Sequence, residues 1–186
     1  MGSSDAPVIM GVSPYKTPYQ LWEEKTGRSK YEPKNKWILE KGHQNEEIAR
    51  AIYETRFTKE ATPQCFIHDN YYYIRASLDG WIVEDKKAIE IKYQGREAHL
   101  KTLKEGKIPE KYMWQLVHQF LVTGCKEIDF LSYNDEHDDI PEALAVVTIK
   151  RKENLVERLL FVAKEFWKLV LNDKPPRLND ADFKMV

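Results

Sequence analysis

Three charged residues in the middle of the chain, Asp79, Glu90 and Lys92, have the types and the spacing of a metal-dependent hydrolytic site. Residues 88–93 alternate apolar and charged side chains with the period of a half-buried strand, so Glu90 and Lys92 share one face. Two carboxylates, joined by a backbone carbonyl such as that of Ile91, can hold Mg²⁺ or Mn²⁺ and leave positions for water and a phosphate oxygen. A lysine on the same face can orient or deprotonate the attacking water. The spacing D-x10-E-x-K therefore predicts phosphodiester hydrolysis.

A purely structural interpretation of the same residues stays open at this point. An Asp-Gly pair such as Asp79 and Gly80, placed between two apolar runs, is a strong hairpin-turn signal. A Glu-x-Lys pair on a strand is usually a solvated face. A short motif is a hypothesis until its structural context agrees with it.

Periodicity and capping residues predict the elements that position this motif. Strands are predicted at 65–68, 71–77, 81–84, 87–93, 127–133 and 143–150, and the first four form a meander. Helices are predicted at 18–25, with Thr17 as N-cap, at 34–56, from Pro109 to Val122 with Gly124 at the end, and at 154–171. This order predicts an α/β (α+β) fold, a sheet with helices on both sides, in a single domain over residues 1–186.

The long helix brings a further carboxylate toward the core. Glu46 shares the inward face with Ala49 and Tyr53, whereas Glu47 lines up with Arg50 on a wetter face. A carboxylate on an apolar face is costly unless something pairs with it. Glu46 is therefore a candidate for the metal site, and the alternative is an ion pair on the helix surface.

Composition excludes several classes of protein. No apolar run approaches the roughly 18 residues that a membrane span needs, and the N-terminus has no signal-peptide pattern. Two cysteines supply neither a disulfide framework nor a zinc or iron-sulfur ligand set, so we expect a reducing cytoplasm. The net charge of −1 is low for a nucleic-acid enzyme, but two bound divalent ions would change the local field more than the sequence total suggests.

The motif resembles the D-(D/E)-x-K core of the restriction-endonuclease-like superfamily. Four blocks narrow the resemblance to the phage lambda exonuclease and YqaJ-like viral recombinase nucleases, and they lie at residues 2–6 with 11–18, 42–50, 77–80 with 90–92, and 112–124. The resemblance implies a restriction-endonuclease-like core with a central mixed sheet. It also implies an exonuclease that digests one strand of duplex DNA from its 5′ end and leaves a 3′ single strand for recombination.

The resemblance assigns roles to individual residues. Asp79, Glu90 and the Ile91 carbonyl would bind the metal, with two ions per site, and Lys92 would activate water. Glu46 and Gln115 would support the second metal or the nucleophile. A ring-shaped homotrimer and a single-strand annealing protein as partner are also implied, in the cytoplasm of a bacterial host.

Phosphate contacts are expected at two places. Ser4 matches the position of a 5′-phosphate contact in the family, and Lys16 lies in a nearby loop; the alternative is an ordinary helix-capping loop. Lys101 and Lys104 belong to a lysine run directly after the predicted catalytic strand, where a DNA backbone would pass, although most such runs are merely solvated.

One segment of the family pattern is not matched, and two rival functions remain. Family members carry a Trp-x-x-x-Arg segment ahead of the first block, so we expect a weaker preference here for a 5′-phosphate unless Arg28 or Arg50 replaces that arginine. A sequence-specific endonuclease is one rival. A catalytically silent DNA-binding module is the other rival. It is disfavoured because all four residues of the expected site are intact, namely Asp79, Glu90, Lys92 and Glu46.

Overall fold

The computed structural model of the chain describes residues 1–29, 36–136, 140–179 and 182. The chain begins with a 3-10 turn at Ser3–Asp5, and a second 3-10 turn lies at Glu110–Tyr112. The helices are α1 (Ala6–Ile9), α2 (Pro18–Lys25), α3 (Lys36–Phe57), α4 (Arg96–Glu105), α5 (Met113–Thr123), α6 (Ile140–Ala143) and α7 (Glu153–Leu171). The strands are β1 (Thr62–His68), β2 (Tyr71–Ile82), β3 (Lys87–Tyr93), β4 (Glu127–Tyr133) and β5 (Leu144–Lys150).

The strands form one mixed sheet in the order β1-β2-β3-β4-β5 within the described part of the chain. The first three strands pair antiparallel as a meander, β3 and β4 run parallel, and β4 and β5 pair antiparallel. A parallel pair requires a crossover connection, which α4 and α5 supply between β3 and β4. The predicted mixed sheet with an antiparallel meander is confirmed.

Helices cover both faces of this sheet. On one face the sheet packs against α5, which in turn packs against α1 and α7, with Ile74, Phe120, Phe130 and Leu159 in the core. On the other face it packs against α3, with Ala49, Tyr53, Ile89, Ile91 and Leu131 in the core. Successive residues of β3 therefore point to opposite cores, which is the alternation that the sequence predicts for residues 88–93.

Two predicted strands, at 71–77 and 81–84, are the single strand β2 in the structure. The prediction of a break was wrong, because Asp79 and Gly80 lie within β2 and the hairpin turn comes later, at residues 83–86. The Lys86 amide closes this turn by donating to the Val83 carbonyl at 3.3 Å, and Lys86 has a φ of 50°. The Asp-Gly pair is thus not a turn.

The other boundaries agree with the sequence to within a few residues, but three of the described helices, α1, α4 and α6, were not predicted. The longest of these, α4, lies between Gly95 and Gly106, whose φ of 60° is typical of a helix end. Gly124, with a φ of 68°, ends α5 as predicted, although α5 becomes α-helical only at Met113. Residues 34 and 35 of the predicted long helix, and residues 137–139 of an acidic loop, lie outside the described residues.

No described helix has the length and apolar character required to cross a membrane.

Candidate active site

A β-bulge in β2 places Asp79 where β2 and β3 separate. The pairing of β1 with β2 shifts by one residue here, so that Asp79 and Gly80 lie opposite the single residue Pro63. Proline lacks an amide hydrogen and is tolerated at bulges and in edge strands such as β1. The ladder between β2 and β3 has its last pair at Gly80 and Ile89. Bulges redirect side chains, and this one leaves the Asp79 carboxylate beside β3.

Hydrogen bonds hold Asp79 from two elements. Its Oδ2 accepts a hydrogen bond from the Ile91 amide of β3 at 2.7 Å. Its backbone carbonyl accepts one from Arg50 Nη1 of α3 at 2.8 Å. Arg50, which was predicted on a wetter face of α3, therefore contacts the site. Its position four residues after Glu46 is the sequence signal that could have identified this contact.

Gly80 allows the close approach of β2 to its neighbours. A Cβ atom at this position would lie 2.7 Å from Ile89 Cγ1 and 3.0 Å from Ala61 Cβ. Because Ile89 and Ala61 are buried, neither can move aside without disturbing the core. The residue next to Asp79 is thus glycine for a steric reason.

Glu90 is a buried carboxylate surrounded by hydrogen-bond donors. It is 1% exposed and lies on the same face of β3 as Lys92, as the alternation predicts. Lys92 Nζ and Gln115 Nε2 both contact its Oε1, and Gln119 Nε2 donates to its Oε2. The structure therefore brings Glu90, Lys92 and Gln115 together. It adds Gln119, which sequence reasoning missed although its spacing of four residues from Gln115 places both amides on one side of α5.

The electrostatics of the site reflect two carboxyl groups placed together away from water. Burial and the neighbouring Glu90 raise the pKa of Asp79 to about 8, while Lys92 and the Ile91 amide act in the opposite direction. Burial by itself would lower the pKa of Lys92, but Glu90 and Asp79 together raise it above its ordinary value. Lys92 is therefore an ammonium group that compensates the negative charge of Glu90 and Asp79 in part.

The donor set fits a divalent cation with ligands partly from outside the protein. Two carboxylates are hard oxygen ligands, and a cation between them would relieve the repulsion that raises the pKa of Asp79. Among the described residues, no three His, Cys, Asp or Glu side chains form a group that could hold a metal ion by themselves. Asp79 and Glu90 would need the Ile91 carbonyl, water or a substrate phosphate in addition, which is usual for Mg²⁺.

Glu46 approaches this site from α3. Its charge is the smallest of the causes that raise the pKa of Asp79. Glu46 is partly buried on the side of α3 that carries the buried Ala49 and Tyr53, whereas Glu47 is exposed. The predicted face of the helix is confirmed, and the role of Glu46 as a metal ligand stays a prediction.

The model of the YqaJ-like viral recombinase domain matches residues 1–126 of this chain. The matched part is more than half of the 186 residues and contains every side chain of the site described above. The chain belongs to the YqaJ-like viral recombinase domain family. The resemblance predicted from the four sequence blocks is confirmed.

A related protein of similar sequence is longer than this chain. The uncharacterized protein YqaJ of Bacillus subtilis (strain 168) is 28% identical over 187 residues, which is 97% of this chain and 56% of that protein. The chain thus spans about half the length of this relative.

Two solved structures share the fold. An alkaline exonuclease (LHK-Exo) from Laribacter hongkongensis has a TM-score of 0.79 at 22% identity, over 93% of this chain and 88% of that one, and it has also been solved in complex with dAMP. A phage related exonuclease from Haemophilus somnus 129PT has a TM-score of 0.60 at 16% identity, over 93% of this chain and 95% of that one. At these identities the similarity establishes the fold.

The N-terminal block of the family domain is held against β2 and α5. The Arg75 amide of β2 donates to the Met1 carbonyl at 2.9 Å. Ser3 is buried, with its Oγ 3.2 Å from His118 Nδ1 of α5. Ser4 is exposed beside it, so its hydroxyl can reach a ligand. Lys16 instead forms an ion pair with Glu24 at 2.7 Å, which reduces the charge it can offer to a phosphate.

The lysine run after β3 lies on and after α4. Lys101 and Lys104 are exposed on this helix, whose opposite side buries His99. His99 Nδ1 lies 2.8 Å from the hydroxyl of Ser132, the β4 partner of Lys92 in the sheet. Helix α4 is therefore fixed close to the end of β3 that carries Lys92, and a DNA contact by its lysines stays a prediction.

Proposed function

We propose that this chain is a metal-dependent DNA exonuclease domain that degrades one strand of linear duplex DNA from the 5′ end and leaves a 3′ single-stranded overhang. The observation that carries the proposal is the juxtaposition of Asp79, Glu90 and Lys92, which come from two strands that separate at a bulge. Membership of the viral recombinase domain family and the fold shared with two exonucleases support it.

Each residue of the site has its own role in the proposed hydrolysis. Asp79 and Glu90 would hold the Mg²⁺ or Mn²⁺ ions, with Glu46 and the Ile91 carbonyl as further ligands. When bound, the metal supplies an activated water and neutralises charge on the phosphate. Lys92 orients the attacking water through its ammonium group and stabilises the charge that develops on phosphorus. Gln115, which donates to Glu90 Oε1, would hydrogen-bond the nucleophile.

Contacts beyond the reacting phosphate would decide which DNA is cut. Ser4 is the candidate for the 5′-phosphate, with Lys16 in support, and Lys101 and Lys104 are candidates for the DNA backbone. Because Lys16 is paired with Glu24, we propose only a modest preference for a 5′-phosphate over a 5′-hydroxyl. A homotrimeric ring, a single-strand annealing partner and a place in the cytoplasm of a bacterial host complete the proposal.

A comparison of DNA substrates tests the function. In Mg²⁺ or Mn²⁺, duplexes carrying a label at one end should lose the 5′ label first, and covalently closed circles should stay intact. Lys92→Ala should abolish digestion and leave DNA binding nearly unchanged, because one lysine is a small part of the phosphate contacts. Lys59→Ala is the matched control, since Lys59 pairs with Glu84 and Asp85 at 3.2 Å, outside the site.

Other outcomes of this comparison point to the rival functions. Cutting of closed circles would favour an endonuclease. DNA binding without turnover in either metal would favour a silent binding module. Release of the 3′ label first would reverse the proposed polarity.

A further inference from the structure

The two oxygens of the Glu90 carboxylate have different surroundings. Oε1 is contacted by Lys92 and Gln115, both of which are partly exposed. Oε2 accepts from Gln119, which is completely buried. Oε1 therefore lies toward the accessible side of the site, and Oε2 lies toward the interior beneath α5.

Gln119 occupies a position where an apolar side chain would be expected. It lies between Leu116 and Phe120 of the core on α5, and its own Oε1 has no hydrogen-bond partner among the described residues. A buried polar atom without a partner destabilises the fold, whereas an apolar side chain of similar size would not carry this cost. The hydrogen bond that its Nε2 donates to Glu90 is the contact that explains an amide at this position.

We propose that Gln119 is a positioning residue that fixes Glu90 Oε2, so that the carboxylate presents Oε1 to a divalent cation. The inference rests on the proposed metal-dependent function and adds a distinct role for each glutamine. Gln119 holds the inner oxygen in every state of the site. Gln115 contacts the outer oxygen, which it shares with Lys92, and can release that oxygen to a cation. Residues that orient a metal ligand typically change metal affinity or activity about 10- to 100-fold when removed.

The test replaces the amide by a side chain of similar shape that cannot donate. Gln119→Met should raise the Kd for Mn²⁺, measured by calorimetric titration of MnCl2 into the DNA-free protein, at least about tenfold. On linear duplex DNA, kcat should fall by about the same factor while KM for DNA changes less than about twofold, since no DNA contact is lost. A role in folding alone would lower the melting temperature without changing the Kd, so both are measured, and the assays are run well below the melting temperature.

A matched control uses a second buried glutamine close to the site. Gln94 is 4% exposed, and both of its side-chain polar atoms lack a hydrogen-bond partner among the described residues. Gln94→Met should leave the Mn²⁺ affinity within about twofold of the parent, because Gln94 forms no bond with Glu90. If Gln119→Met does not fold, Gln119→Asn keeps the amide but is one methylene too short to reach Glu90, and the same loss is expected.

The outcomes separate this inference from the proposed function. A Gln119→Met or Gln119→Asn protein with the parent's Mn²⁺ affinity would refute the positioning role and leave the nuclease proposal intact. A parent protein that binds Mn²⁺ but does not degrade DNA would refute the nuclease proposal, while the effect of Gln119 on the Kd would still decide the inference. A parent protein that neither binds Mn²⁺ nor degrades DNA in Mg²⁺ or Mn²⁺ would refute both.

Discussion

Asp79 is held in an arrangement that favours its protonated form. Burial and the nearby Glu90 both disfavour a negative charge on Asp79. The single ammonium group of Lys92 offsets these two effects only in part. Groups with strongly perturbed pKa values are frequent at catalytic sites, because the same charges that destabilise the empty site attract a cation or stabilise a transition state. The free energy of unfolding should therefore depend on the protonation state of Asp79.

Asp79→Asn should stabilise the cation-free protein by an amount that increases with pH. The pKa of Asp79 is raised from 3.8 to about 8 in the folded state, so its contribution to stability is full below pH 4 and is lost as the pH rises toward 8. Asparagine carries no charge and still accepts from the Ile91 amide. We expect little difference at pH 4 and a gain of roughly 2 to 5 kcal/mol at pH 9, since one pKa unit corresponds to about 1.4 kcal/mol.

Urea unfolding in EDTA at pH 4, 7 and 9 measures this difference. Mg²⁺ in place of EDTA at pH 9 is the control, because a cation at the site should stabilise the parent more than the Asp79→Asn protein. A gain that is equal at all three pH values would contradict the argument.

Strand β2 and helices α3 and α5 all contribute residues that contact the motif on β3 or Asp79 itself. The bulge in β2 allows this arrangement. The bulge directs Asp79 toward β3, α3 contributes Arg50 to the Asp79 carbonyl, and α5 contributes two glutamines to Glu90. Helix α3 is itself held to the sheet by a buried hydrogen bond of 2.6 Å between Tyr53 and Asp129. Small movements of the strand pair should therefore disturb the site before they unfold the chain.

Gly80→Ala should destabilise the protein and reduce its activity. The added Cβ would overlap Ile89 at 2.7 Å, and overpacking of a core costs about 1 to 3 kcal/mol. The displacement also moves Asp79, the adjacent residue, so the nuclease rate should fall at temperatures where the protein is folded.

Gly42→Ala is the matched control for this substitution. A Cβ at Gly42, in α3, meets no atom within 4 Å among the described residues beyond the helix's own backbone, and replacing a helical glycine by alanine typically stabilises by about 0.5 to 1 kcal/mol. Urea unfolding and initial digestion rates measure both variants. Equal stability of Gly80→Ala and the parent would show that the close approach of β2 to Ile89 is not required.

Processive digestion requires the enzyme to stay on DNA, and a closed ring is the proposed device. The outer side of α7 carries two large exposed apolar residues, Phe161 and Leu171, each 67% exposed. Exposed apolar residues on a helix that already packs its other side on the core are candidates for a subunit contact. The proposed ring would use a surface far in sequence from the residues of the active site.

Light scattering should give about three times the chain mass of 22.0 kDa at micromolar concentration. Phe161→Glu should reduce this mass if α7 forms the contact, because a buried charge at an interface is costly. Asn154→Glu, at an exposed position in the first turn of the same helix, is the control. A monomeric parent protein would remove the structural basis for processivity.

Features that depend on near neighbours along the chain were predictable. The alternation of residues 88–93 placed Glu90 and Lys92 on one face, because side chains of a strand point alternately to its two sides. The capping box of Thr17 and Gln20 and the left-handed Gly124 marked helix ends for equally local reasons. The four sequence blocks identified the family and, through it, the fold.

Features that depend on distant residues required the folded chain. The bulge at Asp79 is defined by which residues of β1 lie opposite, and an Asp-Gly pair is locally as compatible with a turn as with a strand. Gln119 and Arg50 act through contacts that span 29 residues of sequence, whereas spacing along a helix shows only which residues share a face. The packing of α3 and α5 on opposite faces of the sheet determines that their side chains meet at one pair of carboxylates.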